Sequence, residues 1–307
     1  MLPDPSFFFA QLLIGVVMGV IYSLMALGLT LIFGVMKVVN FAHGVLYMLG
    51  GFVSYYLITL WNVHFALALP LAMATVFLIG VVIEKLLLKP MYTGDIERPG
   101  EYSIIVTFGL SIFLSHFAII IFGPFYHSPL QVSKTQLFGG FLGETFRLGL
   151  FGINGTRLYA FLVAILFIAG TILFLKKTWT GRALQAAAQN KVGAQIVGIN
   201  LRNIHALAFG LGAALATAAG TLLAPVFYLF PEAGTFPAIK GFVIIVLGGM
   251  GSVPGSIIGG LLLGTIETIG SVAIGQPGLK DFFGFMVLVV VLFLKPTGLM
   301  GERERTA

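Results

Sequence analysis

Eight apolar runs, at about 7–35, 41–60, 65–88, 102–122, 157–175, 204–229, 238–269 and 280–295, decide what this chain can become. Most reach the roughly 20 residues that an α-helix needs to cross a bilayer. In hydrocarbon a helix satisfies its backbone N–H and C=O groups internally, so several such runs imply an all-α membrane protein, a multispanning helical bundle. Charge agrees. Only 9% of the 307 residues are charged and the mean hydropathy is +1.05, whereas soluble domains carry about a quarter charged residues. The chain is read as a single transmembrane domain over 1–307. Its start, MLPDPSFFFA, lacks the basic flank and cleavage site of a secretory signal, so the first run is read as a retained helix. Without cysteine, disulfide and thiolate chemistry are excluded.

The seventh run contains GGMGSVPG, Gly248 to Gly255, with Gly248, Gly249, Gly251 and Ser252 at its centre. Such a stretch breaks a helix, so 238–250 and 253–269 are expected as two pieces. A break leaves backbone groups that only protein or a water-filled cavity can satisfy. Transporters place such breaks at substrate paths, but a tight turn between two crossings explains it equally.

Basic residues set the sidedness. Lys176, Lys177, Arg182, Lys191 and Arg202 make 176–203 the strongest cytoplasmic segment, followed by the C-terminal Lys295, Arg303 and Arg305. Lys37 and the group Lys85, Lys89 and Arg98 fall on the same side if spans alternate. The loop at 123–156 and FPEAGTFP, Phe230 to Pro237, are poor in bases and are expected outside, with the N-terminus. A cytoplasmic C-terminus then requires both pieces of the seventh run to cross, or one to re-enter.

Four features could carry function. Asn40 and His43 stand three apart in KVVNFAHGVLYMLGGF, where they would share a helix face, and Asn40 could cap a helix starting at Phe41. Glu267 sits within an apolar run, where an ionisable group is by default functional unless it is hydrated or paired near the interface. The spacings Gly15–Gly19, Gly255–Gly259 and Gly260–Gly264 permit close helix packing. Finally, the segment from Lys176 to Asn203 reads as a short basic helix, capped by Thr180, with a small apolar patch at Ile196, Val197 and Ile199. It could dock another protein or lie on anionic lipid. No metal-ligand spacing, hydrolytic triad or phosphate-binding loop occurs.

VNFAHGVLYMLGGF, GRALQAAAQNKVGAQIVGIN, GGMGSVPGSIIGG and LKPTGLMG, in that order, resemble the LivH-type permeases, membrane subunits of branched-chain amino acid importers driven by ATP. The resemblance spans about 7–301. It implies the importer permease fold with about eight helices and a broken seventh segment. It also implies a heterodimer with a homologous LivM-type permease, two ATPase subunits on the cytoplasmic face, and a periplasmic substrate-binding protein. The chain would lie in membrane lipid as a multi-pass protein of a bacterial inner membrane, with no nucleic-acid partner. It would hold no cofactor and perform no covalent chemistry, ATP and Mg being bound by the ATPases.

By the same resemblance, Gly181, Arg182, Ala183, Leu184, Ala187, Gly198, Ile199 and Asn200 belong to the segment that couples to the ATPases. Asn40, His43, Gly44 and Glu267, with the glycine break, would border the translocation path. Two departures stand out: the family usually has an acid after the His-Gly pair, where this chain has Val45, and often Asp-Pro where it has Asn190 and Lys191. Relatives of this family move urea, short amides or aromatic acids, so those substrates remain alternatives. So do a stand-alone transporter coupled to protons through Glu267 or His43, and a membrane protein with a structural or signalling role.

Overall fold

The computed structural model describes residues 5–92, 94, 96–127, 145–148 and 151–301. Eleven α-helices account for most of them. Seven are long and apolar enough to cross a membrane, counting the short turns that extend two of them. Two shorter helices complete the bundle, and a further two lie in the basic segment. The expected external loop falls mostly outside the described residues. Its described part holds a feature an all-helical reading did not anticipate: an antiparallel pair, β1 (Thr145–Leu148) and β2 (Phe151–Asn154), in register Thr145 to Asn154.

Two helices form the centre. The first, α1 (Pro5–Met36), is buried along most of its length from Val17 onward. The other is the alanine- and glycine-rich α8 (Leu201–Leu223). Small residues let backbones approach closely where no hydrophobic force drives helices together. A Cβ added to Gly28 would lie 2.6 Å from the Gly212 carbonyl oxygen of α8, closer than real atoms approach. The same holds between α1 and α10 (Val253–Ile274). A Cβ at Gly19 would stand 2.9 Å from Gly260 O, and one at Gly15 2.9 Å from Gly264 O. Two of the glycine spacings expected from sequence therefore pack against each other. The third, Gly255–Gly259, faces α9 (Thr235–Gly248) at Gly248 and Ile244. Beside these glycines Ser23 Oγ lies within hydrogen-bond reach of Gly19 O (2.8 Å) and Ile257 O (2.9 Å).

Around this centre, α2 (His43–Thr59) and α3 (Phe65–Ile83) pack on α8. A π turn (Glu84–Leu88) and a 3-10 turn (Lys89–Tyr92) extend α3. Helices α4 (Pro99–Phe122), α5 (Gly155–Lys177) and α11 (Lys280–Leu294) are peripheral and turn many large apolar side chains outward, as a lipid-facing surface does.

The seventh run is two separate helices, α9 and α10, joined by a turn in which Gly249 (φ 102°) and Gly251 (φ 84°) adopt left-handed conformations open to glycine. Gly251 lies against Gly34 near the end of α1, which Lys37 follows. Lys191 Nζ, in α7 (Lys191–Ile196), donates to Met36 O at 3.2 Å. Thus Lys37, the basic segment, the turn and the C-terminal stretch share one end of the bundle. Both pieces of the seventh run meet at that end, α9 approaching it and α10 leaving it.

Candidate functional site

The glycine break is closed by the chain's own tail. Leu299 N donates to Leu247 O at 2.8 Å and Met300 N to Gly248 O at 2.9 Å. These carbonyls end α9 and would otherwise lack partners. Gly298 (φ 76°) and Gly301 press on the backbone of Gly249 with no room for a Cβ. Ser252 caps α10, its Oγ accepting from Gly255 N at 3.2 Å. The two motifs GGMGSVPG and LKPTGLMG are therefore one structure. Gly248, Gly249, Gly251 and Ser252 form a strapped hinge at the end of the bundle that the basic segment shares, and the C-terminal stretch satisfies the Leu247 and Gly248 carbonyls.

The stretch before α2 does something else. After Met36 the chain reverses at Lys37, in a left-handed conformation (φ 60°), and re-enters the bundle. Helix α2 starts at His43, not at Phe41, and its N-cap is Ala42; Asn40 sits outside the helix and its Oδ1 accepts from Ala42 N at 3.0 Å. The shared helix face and the cap at Phe41 expected for Asn40 are corrected accordingly. His43 Nε2 lies 3.1 Å from Met25 O. A carbonyl only accepts, so Nε2 donates this bond. Met25 is about 16 Å along α1 from Met36 at 1.5 Å per residue. Helix α2 therefore begins well inside the bundle, about 16 Å from the end marked by Met36.

Gly44 meets Gly234, the N-cap of α9, backbone to backbone. Two short helices thus abut N-terminus to N-terminus inside the bundle, and neither has a side-chain cap. Asn40 and His43 are fully buried there, and Asn40 Nδ2 and His43 Nδ1 have no hydrogen-bond partner among the described residues. Val45 is buried in the apolar core, where an unpaired acid would be costly.

Glu267 is buried about 21 Å along α10 from the hinge. Both its oxygens accept from Lys240 Nζ of α9, at 2.8 and 2.6 Å, and Lys240 also bonds Asp281 Oδ1 of α11 at 2.8 Å. Lys240 further sits over the Tyr22 ring of α1, 5.1 Å from its centroid. Sequence reasoning found Glu267 but missed Lys240 and Asp281. The signal was present: Lys240 is a charge inside an apolar run, as Glu267 is. Both carboxylate oxygens of Glu267 are thus paired with one ammonium. Among the described residues no group of three or more His, Cys, Asp or Glu is placed to hold a metal ion.

In the basic segment, Thr178, not Thr180, caps α6 (Trp179–Gln189), its Oγ1 accepting from Gly181 N at 3.0 Å. Gly181 packs on the last turn of α5 with no space for a Cβ. Ala183, Leu184 and Ala187 face inward and are buried. Arg182 is exposed and its Nε donates to Lys176 O at 3.3 Å. Asn190 caps α7 and Asn200 caps α8, the latter accepting from Arg202 N at 3.1 Å. Gly198 (φ 83°) turns the chain ahead of Ile199. The outward surface is Trp179, Val192, Ile196 (81% exposed) and Val197 (72%). Burial, and then the neighbouring Lys37 charge, hold the Lys191 ammonium below the usual lysine range.

A family model described as the branched-chain amino acid transport system / permease component matches residues 11–292. The chain is 33% identical to the high-affinity branched-chain amino acid transport system permease protein BraD of Pseudomonas aeruginosa, over 99% of each chain. It is 32% identical to LivH, the permease protein of the same name in Escherichia coli K12, over 97% of each. It is also 28% identical to the permease LivM of that organism, covering 91% of this chain and 68% of the relative. No solved structure matches.

Proposed function

Since this chain belongs to the family of branched-chain amino acid transport system permease components, we propose that it forms half of the translocation path of an ATP-driven importer for branched-chain or related amino acids. The observation that supports this most is the match over 11–292, with near full-length identity to BraD and LivH. Similarity to both LivH and LivM indicates a pair of homologous permeases. In our reading the pair sits in a bacterial inner membrane, a binding protein delivers substrate from outside, and two separate subunits bind and hydrolyse ATP with Mg.

The fold suggests how the strokes would be transmitted. ATPase closure would push on Trp179, Ile196 and Val197, the exposed apolar side chains beside α6 and α7. Helix α6 is anchored to α5 through Gly181, and Lys191 ties α7 to the end of α1. Motion would pass to α1 and along its glycine contacts to α10, while the strapped hinge keeps α9 and α10 together. The abutting starts of α2 and α9, with Asn40, His43 and Gly44, lie where the path would narrow. Co-purification tests the assembly: the tagged chain should retain a second permease and two ATPase subunits, with ATP hydrolysis stimulated by the loaded binding protein. A chain that purifies alone from cells expressing all partners would contradict it.

A further inference from the structure

Lys191 opens α7, and its Nζ donates to Met36 O, the carbonyl of the peptide bond that leads into Lys37. Two lysines distant in sequence are thereby held side by side at the basic end of the bundle. The Lys37 backbone is left-handed (φ 60°), which is uncommon for a residue other than glycine. Its side chain is exposed, with Nζ 5.9 Å from the Phe33 ring centroid. Among the described residues neither lysine forms an ion pair, whereas Lys240 has two carboxylates and Arg98 has Glu101. Lys191 is partly buried, and burial together with the Lys37 charge disfavours its ammonium form. The pair therefore presents one amine eased toward its nucleophilic free base, beside one exposed ammonium that lacks a counter-charge. The chain has no cysteine to compete for an acyl group.

We propose that Lys191 is an acylation site for small acyl phosphates, with the Lys37 ammonium holding the donor's phosphate. A lysine ammonium binds phosphate as a point charge, and this one has no carboxylate to give up first. The neutral Nζ of Lys191 attacks the acyl carbon. The C–N bond forms as the C–O bond to phosphate breaks, and the departing phosphate takes the proton that the nitrogen sheds. No further reactant enters. Acylation removes one positive charge from this end of the bundle and leaves Nζ a single N–H for Met36 O. The site belongs to this chain's own side chains and goes beyond the proposed importer function: it acts on the link between α7 and α1 whether or not substrate is moving.

The test incubates the purified full-length chain in lipid nanodiscs with acetyl phosphate at neutral pH, and reads acetyl occupancy at each lysine by mass spectrometry. The exposed Lys176 and Lys177 of the same segment are the internal reference. Lys191 should be acetylated about threefold faster than either, or more, because each unit of lowered pKa raises the free-base fraction about tenfold and returns part of that gain as lost nucleophilicity. Lys37→Asn removes the anchoring charge with a residue that accepts the left-handed backbone. It should slow Lys191 acetylation by a similar factor with acetyl phosphate, and by less with an uncharged acetyl ester. Inorganic phosphate at constant ionic strength should slow the wild-type reaction, and this decides the matter if Lys37→Asn does not fold. Occupancy at Lys191 no higher than at Lys176 and Lys177, or a Lys191 rate indifferent to added phosphate, would overturn the site.

Discussion

Leu299 donates its backbone N–H to the carbonyl of Leu247 at 2.8 Å, so the C-terminal stretch strap-closes the break between α9 and α10. Leu299→Pro removes that donor and leaves a helix-end carbonyl unpaired, at a cost of about 1–3 kcal/mol. Thermal unfolding of the purified chain should shift down, and uptake should fall with it. An unchanged unfolding temperature would mean that the strap does not hold the hinge.

The α1–α10 contact is built from glycine on both sides. Gly264→Leu places a side chain against the backbone of Gly19 and Gly15. Overpacking of this kind costs about 1–3 kcal/mol or more, and here it forces two central helices apart. The expected result is loss of folded protein in detergent. Gly109→Leu, at a position with open space on α4, should be tolerated in the same assay.

Lys240 and Glu267 should show strong coupling. Removing one partner of a buried ion pair costs about 3–5 kcal/mol, because the other charge is left unpaired. Glu267→Gln and Lys240→Met should each destabilise markedly, and the double variant by much less than their sum. A double-mutant cycle on thermal stability measures this, and additive effects would contradict the pairing. Proton-coupled transport through Glu267 predicts instead that Glu267→Gln abolishes pH-driven uptake while leaving stability alone.

The exposed patch of the basic segment carries the coupling prediction. Ile196→Asp with Val197→Asp should fold normally, since both side chains project outward. ATP hydrolysis should then lose its stimulation by the loaded binding protein. By contrast, acids at Ala183 or Ala187 should reduce folded protein, because those positions face the bundle.

How much of this was legible in the sequence depends on what each interaction needs. The apolar runs, the broken seventh segment and the glycine spacings follow from local composition, and the structure has them at nearly those positions. Which glycines meet which was not legible, because Gly19 and Gly260 are joined only through tertiary packing. The strap was hidden for the same reason: nothing local in LKPTGLMG shows that it bonds Leu247 and Gly248. Asn40 looked like a cap at Phe41, but the chain re-enters the bundle before α2 begins, and a local pattern cannot report that path. Lys240 was readable, since a lone lysine in an apolar run must find a counter-charge, yet only the fold brings α9, α10 and α11 together around it.

The central claim is that this chain works as one part of an ATP-driven importer. Uptake of leucine into proteoliposomes tests it most directly, comparing the chain alone with the chain plus second permease, ATPase subunits and loaded binding protein. Uptake should require the full set and ATP, and should be absent from the single chain under an imposed pH gradient. Leucine accumulation by the single chain, driven by the pH gradient without ATP, would contradict the account.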